Sequence, residues 1–270
     1  MEVGFLTACM GKEPLESVVA WAGQAGVRRV EIILSHLGED TPARDKAVLK
    51  ALRDAGVAPS SIAHYDGKLL AKDRAEAVKA LKASVDRCIR LGTDVLCSLT
   101  GLPPDGMSKE DAIDGPVAAI FAPVCEYAAS RGVRVALENW TATCIQHFDQ
   151  WDRLLEKVPA PNLGFNYDPS HLLWQGIDYL GGVEKYGARI FHAHAKDTEV
   201  RDEVLRRVGN QGRGWWRYCI PGQGRVRWGE FIARLRRVKF NGVLSIEHED
   251  SLLPPRDGVV LGKKFLEQYI

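Results

Sequence analysis

Four apolar runs in the second half of the chain carry groups that bind metals or move protons. VRVALEN holds Glu138, NLGFNYD ends on Asp168, RIFHAHA holds His194 and GVLSIEHE holds Glu247. A buried strand accepts such polarity only when something compensates it. Brought to one rim, three carboxylates repel one another, and burial worsens the conflict. A divalent cation relieves it. Three oxygen donors and one imidazole suit one such ion: manganese is the first expectation, with magnesium, cobalt or zinc as alternatives, and coordination positions stay open for substrate oxygens. The six cysteines, Cys9, Cys88, Cys97, Cys125, Cys144 and Cys219, form no CxxC pair, which disfavours a thiolate zinc site and a disulfide framework alike.

These groups must be positioned by short apolar runs that alternate with longer segments of helical period, the pattern of parallel strands joined by crossover helices. Eight runs begin at residues 3, 28, 57, 93, 133, 162, 189 and 242. Between them, segments such as DRAEAVKALKASVDRCIRLG repeat apolar residues at three and four and close on glycine. The tripeptides AGV, AGV, LGT and RGV at 25, 55, 91 and 131 read as helix end, cap and next strand. Eight such units without a composition break predict an α/β protein, a single (β/α)8 TIM-barrel domain over residues 1–270. In an open doubly wound sheet the first strand would lead into a Gly-rich nucleotide loop, and TACMGKEP has one glycine. Glu138, Asp168, His194 and Glu247 then mark the carboxyl ends of strands five to eight, where barrel active sites lie. Two stretches break the spacing: 198–227, Gly-rich and aromatic, predicted as a lid-like loop, and the Pro/Gly loop 100–111.

A hydrophobic content of 46% over 270 residues allows a large core, and a net charge of +1 argues against a nucleic-acid partner. A small carbohydrate-sized substrate fits better. MEVGFLTA enters a strand-like run without a basic flank, and no uninterrupted apolar run reaches membrane-spanning length. The expectation is a cytoplasmic protein with reduced cysteines and no membrane partner.

The set ALEN, DPSH, HAKD, PGQGRVRW and LSIEHE, in this order and on these strands, resembles the xylose-isomerase-like TIM-barrel superfamily of sugar isomerases and epimerases, which also contains the AP endonucleases. The resemblance covers nearly the whole chain. It implies that Glu138, Asp168, His194 and Glu247 hold the metal and that His171 contacts substrate. It further implies that Glu138 and Glu247 form the acid/base pair of an isomerase or epimerase of a sugar or sugar phosphate, working through an enediolate. His192 is then a packed core histidine one layer deeper. Oligomers are common in that superfamily, and the aromatic loop and the tail LGKKFLEQYI allow a homo-oligomer here.

Around this centre, Lys196 and Asp197 are read as a donor and an acceptor that orient the ligands, or as a surface ion pair, with Lys196 also a substrate contact. Trp216, with Trp215 and Tyr218, would cover a sugar face. Arg201 and Arg217 are the loop arginines placed to hold a phosphate or carboxylate. His64 and His36, at the ends of the third and second strands, are read as facing the pocket, with Glu31 and Trp140 in its wall. His248 alternates away from Glu247 and packs against helices.

Departures from the resembling proteins narrow the function. The extra zinc ligands of the AP endonucleases are replaced by LCSLTG and WWRYCIPGQG, which disfavours a repair nuclease. NWTATC follows Glu138 where ketose 3-epimerases carry Asn-Arg, and Arg227 stands where they carry an acid. Free ketohexoses fit less well, which leaves room for a keto-inositol or a 3-keto-glycoside. It also leaves room for a lyase or dehydratase, in which the same enediolate expels a β-leaving group. A non-catalytic sugar-binding barrel is the third reading.

Overall fold

The structure, a computed structural model, describes residues 1–270. β1 (Glu2–Leu6), β2 (Arg29–Ile33), β3 (Ala58–His64), β4 (Val95–Ser98), β5 (Arg134–Glu138), β6 (Leu163–Tyr167), β7 (Ile190–Ala195) and β10 (Val243–Ile246) close into a parallel barrel; β8 (Asp197–Val200) and β9 (Trp216–Cys219) form a separate antiparallel pair. All eight predicted runs become barrel strands. The chain closes on itself where β1 pairs with β10, Phe5 opposite Ile246.

Helices cover the outside of the barrel, so its strands are buried on both faces and read as almost unbroken apolar runs; β6 and β7 contain no exposed residue. The predicted glycine punctuation is real. Gly26, Gly56, Gly92 and Gly132 follow their helices with φ of 71°, 62°, 81° and 70°, a region that costs any residue with a Cβ. At the other end of the helix Arg74–Leu91, the Asp73 carboxylate accepts from the backbone N–H of Ala75 at 2.8 Å, the cap expected of an acid at that position.

A large apolar cluster fills the space between strands and helices, while Leu6, Ala63, Val95, Cys97, Ala136 and Phe191 pack separately. The ladder slips twice, at Val30/Glu31 against β3 and at Phe165/Asn166 against β7. Both irregularities fall on residues whose side chains reach His194, as bulges near functional sites commonly do.

One expectation about the fold needs correction. The segment 198–227 is not an irregular loop: β8 and β9 pair Thr198 with Tyr218 and Val200 with Trp216, and a short helix, Asp202–Val208, lies between them. One helical run, Lys109–Ala129, is long and apolar enough to span a membrane by length and composition alone, although Lys109, Glu110, Asp111, Asp114 and Glu126 interrupt it. It contains a π-type turn at Ile113–Val117 around Pro116, and its side bearing Ile113, Val117, Phe121 and Val124 is buried in the core.

Candidate active site at the carboxyl end of the barrel

Glu138 closes β5, Asp168 caps the short helix after β6, His194 lies near the end of β7, and Glu247 follows β10. Their ligand atoms all lie within 4.8 Å of one another. His194 Nδ1 is 3.0 Å from Glu247 Oε2, 3.4 Å from Glu138 Oε1 and 3.9 Å from Asp168 Oδ2. Asp168 divides its work: Oδ1 accepts from Ser170 N at 2.8 Å, and Oδ2 faces the cluster. Asp168 Oδ2 and His194 Nδ1 are both buried and make no hydrogen bond. Two metal-donor atoms left unsatisfied beside two more carboxylates are what a divalent cation would complete, so this donor set fits one.

The far side of His194 explains its orientation. Its Nε2 lies 3.1 Å from Glu31 Oε2, so the carboxylate accepts the Nε2 proton and leaves the Nδ1 lone pair toward the rim. Glu31 Oε1 accepts from Tyr65 OH at 2.6 Å, and Asn166 donates to that hydroxyl at 2.8 Å. Burial opposes charge on Glu31, yet His194 and His192 hold its pKa at about 2. Burial opposes charge on His194, while the carboxylates of Glu247, Glu31 and Glu138 raise its pKa well above the imidazole norm and favour a proton on Nδ1, the position a divalent cation would take in that proton's place. His192 is the core histidine expected, bonded to Asn166 Oδ1 at 3.0 Å and Ser60 Oγ at 3.2 Å.

Lys196 is buried, not part of a surface ion pair. Its Nζ lies 2.5 Å from Glu247 Oε2, 3.3 Å from Glu249 Oε2 and 3.3 Å from His171 Nε2; Asp168 Oδ2, at 3.2 Å, is near enough for charge attraction but lacks hydrogen-bond geometry. Against the cost of burial, these carboxylates hold it firmly as an ammonium. Tyr218 OH lies 2.6 Å from His171 Nδ1 and Glu138 Oε1 lies 3.3 Å from Nε2; with the carboxylate drawing the ring proton to Nε2, the tyrosine hydroxyl donates to Nδ1. Trp174 Nε1 donates to the same tyrosine oxygen at 3.3 Å. Asp197, the other predicted partner, serves the hairpin: its carboxylate accepts from Thr198 N, Gly222 N, Val226 N and Trp228 Nε1 at 2.8–3.0 Å.

These groups open on a pocket of about 200 Å3, whose remaining wall is Tyr65, Leu99, Trp140 and Glu249. Trp140 is where the sequence placed it. Tyr65, Glu249, Asn166 and Trp174 were missed, although Ser61, Ala63 and Tyr65 form one alternating series and Glu249 lies two residues past Glu247. Several predicted contacts lie elsewhere. His64 points out of the barrel to Ser84 Oγ at 2.8 Å, because inward and outward positions alternate and Tyr65 takes the inward one. His36 packs near Met10 and Gly11. Arg201 donates to Gly214 O within the hairpin. Arg217 is committed to Glu199 and, at 2.8 Å, to Asp250 Oδ1. Trp216 stacks on Trp174 with centroids 4.4 Å apart, and Tyr218 is the hairpin aromatic that reaches His171. His248 turns from the rim toward Gly258, as expected.

A closed eightfold parallel barrel with an acidic, histidine-bearing rim at the carboxyl ends of its strands defines an enzyme-type TIM barrel. The chain belongs to the xylose isomerase-like TIM barrel family, whose model matches residues 19–269. An uncharacterized protein, YfiH, from Bacillus subtilis is 29% identical over 51% of this chain, and the match spans about half (47%) of that relative's length. Inosose dehydratase from Geobacillus thermodenitrificans is 23% identical over 86% of this chain and 83% of its own. Among solved structures, the IOLI protein with a bound zinc atom superposes with a TM-score of 0.78 at 19% identity, covering 100% of this chain and 99% of that one.

Proposed function

We propose that this protein is a divalent-metal-dependent lyase that dehydrates a cyclic keto-polyol of the keto-inositol class. The dehydratase relative moves the reading away from the isomerase or epimerase expected first. The observation that carries it is the pairing of proton acceptors with proton donors across one small pocket: Glu247 and Glu138 beside Lys196 Nζ and the Nε2–H of His171. Epimerisation asks for two bases on opposite faces; dehydration asks for a base to take a carbon-bound proton and an acid to protonate the departing hydroxyl.

Glu138, Asp168, His194 and Glu247 would hold the metal. When bound, it supplies Lewis-acid polarisation of the substrate carbonyl, which makes the neighbouring C–H acidic. Glu247, whose side chain is the most exposed of the four at 13%, takes that proton. The electron pair forms a carbon–carbon double bond, the β C–O bond breaks, and His171 gives its Nε2 proton to the leaving hydroxyl, which departs as water. Lys196 holds a substrate oxygen and balances the carboxylates. The β8–β9 hairpin packs Tyr218 against His171 and Lys196 behind the pocket wall, which limits the access of bulk water to these two groups.

The test is to incubate manganese-loaded protein with keto-inositols in deuterated water and follow the products by NMR. Loss of water to an unsaturated ketone, reduced about 10²–10⁴-fold in Glu247→Gln, is the expected result. Deuterium in an epimerised sugar without water loss would return the protein to the epimerase class.

A further inference from the structure

We infer that Glu249 sets the specificity of this pocket: its carboxylate accepts hydrogen bonds from the ring hydroxyls of an uncharged polyol and turns away substrates that carry a phosphate or a carboxylate. This rests on the rim being the reacting centre. Glu249 lies two residues past Glu247 and is a wall residue of the reacting pocket, with Leu99 and Trp140. Glu247 and Glu249 are also the two residues that this pocket shares with an adjoining cavity of about 210 Å3. A substrate seated in either one meets the Glu249 carboxylate. Unlike its neighbours, that carboxylate is uncommitted. Its side chain is 46% exposed and its one charged contact is Lys196 Nζ at 3.3 Å, while the lysine directs its hydrogen bond to Glu247 Oε2 at 2.5 Å.

The balance of charge shows why a free carboxylate at this point selects. The carboxylates of Glu138, Asp168 and Glu247 would be matched by a divalent cation together with the Lys196 ammonium. With His171 in its neutral form, Glu249 then adds a negative charge that nothing in the pocket offsets. No arginine lines either cavity, and Arg201 and Arg217 are held elsewhere. An anionic substrate would bring a like charge into a half-buried pocket, where solvent screens it poorly. Ring hydroxyls are donors instead, and a hydroxyl bonded to a carboxylate makes a charge-assisted hydrogen bond, stronger than a neutral one. Burial raises the Glu249 pKa, Lys196 draws it back toward the charged form, and a cation on the rim would act in the same direction as the lysine.

Two measurements on the manganese-loaded protein test this. The first compares kcat/KM for a keto-inositol with that for its monophosphate. The second compares binding of myo-inositol and myo-inositol 1-phosphate by titration calorimetry, which needs no turnover. The unaltered protein should favour the uncharged member of each pair, and Glu249→Gln should shrink that preference about tenfold or more. Glu249→Asp, which keeps the charge, should retain it. Glu249→Ala, which removes the acceptor altogether, should weaken myo-inositol binding about tenfold; undiminished binding overturns the hydroxyl contact. Each preference is a ratio within one protein, so a general loss of active molecules cancels. Manganese affinity should not change, because Glu249 is not one of the four donors; loss of ion binding in Glu249→Gln would make the residue a support of the metal site and overturn the proposal. So would equal treatment of the two members by the unaltered protein, or a preference that Glu249→Gln leaves intact. Preferential binding of myo-inositol that Glu249→Gln removes, with no water lost from any keto-inositol, upholds the role of Glu249 and rejects the dehydratase reading. Loss of water from keto-inositols with the same preference in both proteins does the reverse.

Discussion

Glu31 and His194, 163 residues apart in sequence, meet across the barrel at 3.1 Å, and the contact fixes which imidazole nitrogen faces the acidic rim. Removing the carboxylate charge while keeping its shape should loosen the tautomer and the ring. Glu31→Gln is expected to weaken manganese or zinc binding about 10–100-fold by titration calorimetry. An unchanged affinity would show that His194 needs no such partner.

Tyr218 orients His171 in the same manner from the hairpin, donating to Nδ1 at 2.6 Å. Tyr218→Phe removes one hydrogen bond, worth about 1–1.5 kcal/mol, so kcat should fall about tenfold. KM should change little, because the ring of residue 218 stays in place. Nitrogen-15 spectra of His171 should show mixed tautomers; a single Nε2–H tautomer in the variant would refute this role.

Asp197 satisfies three backbone N–H groups and the Trp228 indole from one buried carboxylate. Asp197→Ala leaves these donors without an acceptor, at about 1–3 kcal/mol for each one that water cannot reach. A fall of several kcal/mol in urea unfolding is expected, partly restored by asparagine. A change below about 1 kcal/mol would mean that the hairpin root is held by other contacts.

Acid should destabilise the fold through His192, whose pKa burial above all lowers to about 4. Unfolded, it protonates near 6.5, so between pH 6.5 and 4 the unfolded state binds the extra proton. Stability then declines as pH falls through that window, by up to about 3 kcal/mol at ~1.36 kcal/mol per unit. His192→Gln should flatten the slope by about one proton; an identical slope in the variant would place the titration elsewhere.

Metal removal should cost stability as well, because the ion separates carboxylates that otherwise face one another. At a metal concentration 100 times Kd the gain is about 2.7 kcal/mol. A chelator should lower Tm and added manganese should restore it, with no response in Asp168→Asn if that carboxylate is essential to binding.

The barrel was legible because parallel strands buried on both faces give continuous apolar runs and because glycine caps recur at fixed places. Glu138, Asp168, His194 and Glu247 could be read as strand ends by the same logic. Parity within a strand was harder. His64 and Tyr65 are adjacent, and the slip of β3 against β2 at Val30/Glu31 hides which of them faces inward. The hairpin was missed because β8 and β9 are four residues each and carry no strong alternation. Arg201 and Arg217 looked available for a substrate anion; only the fold shows that each already has a partner.

The pairing of β1 with β10 sets an order of events during synthesis. Glu31 is made early and Glu247 late, and the strand that brings Glu247 to the rim is the one that seals the ring. The full set of four donors is therefore complete only once the last strand has been made, and a nascent chain cut short before β10 carries Glu138, Asp168 and His194 without Glu247.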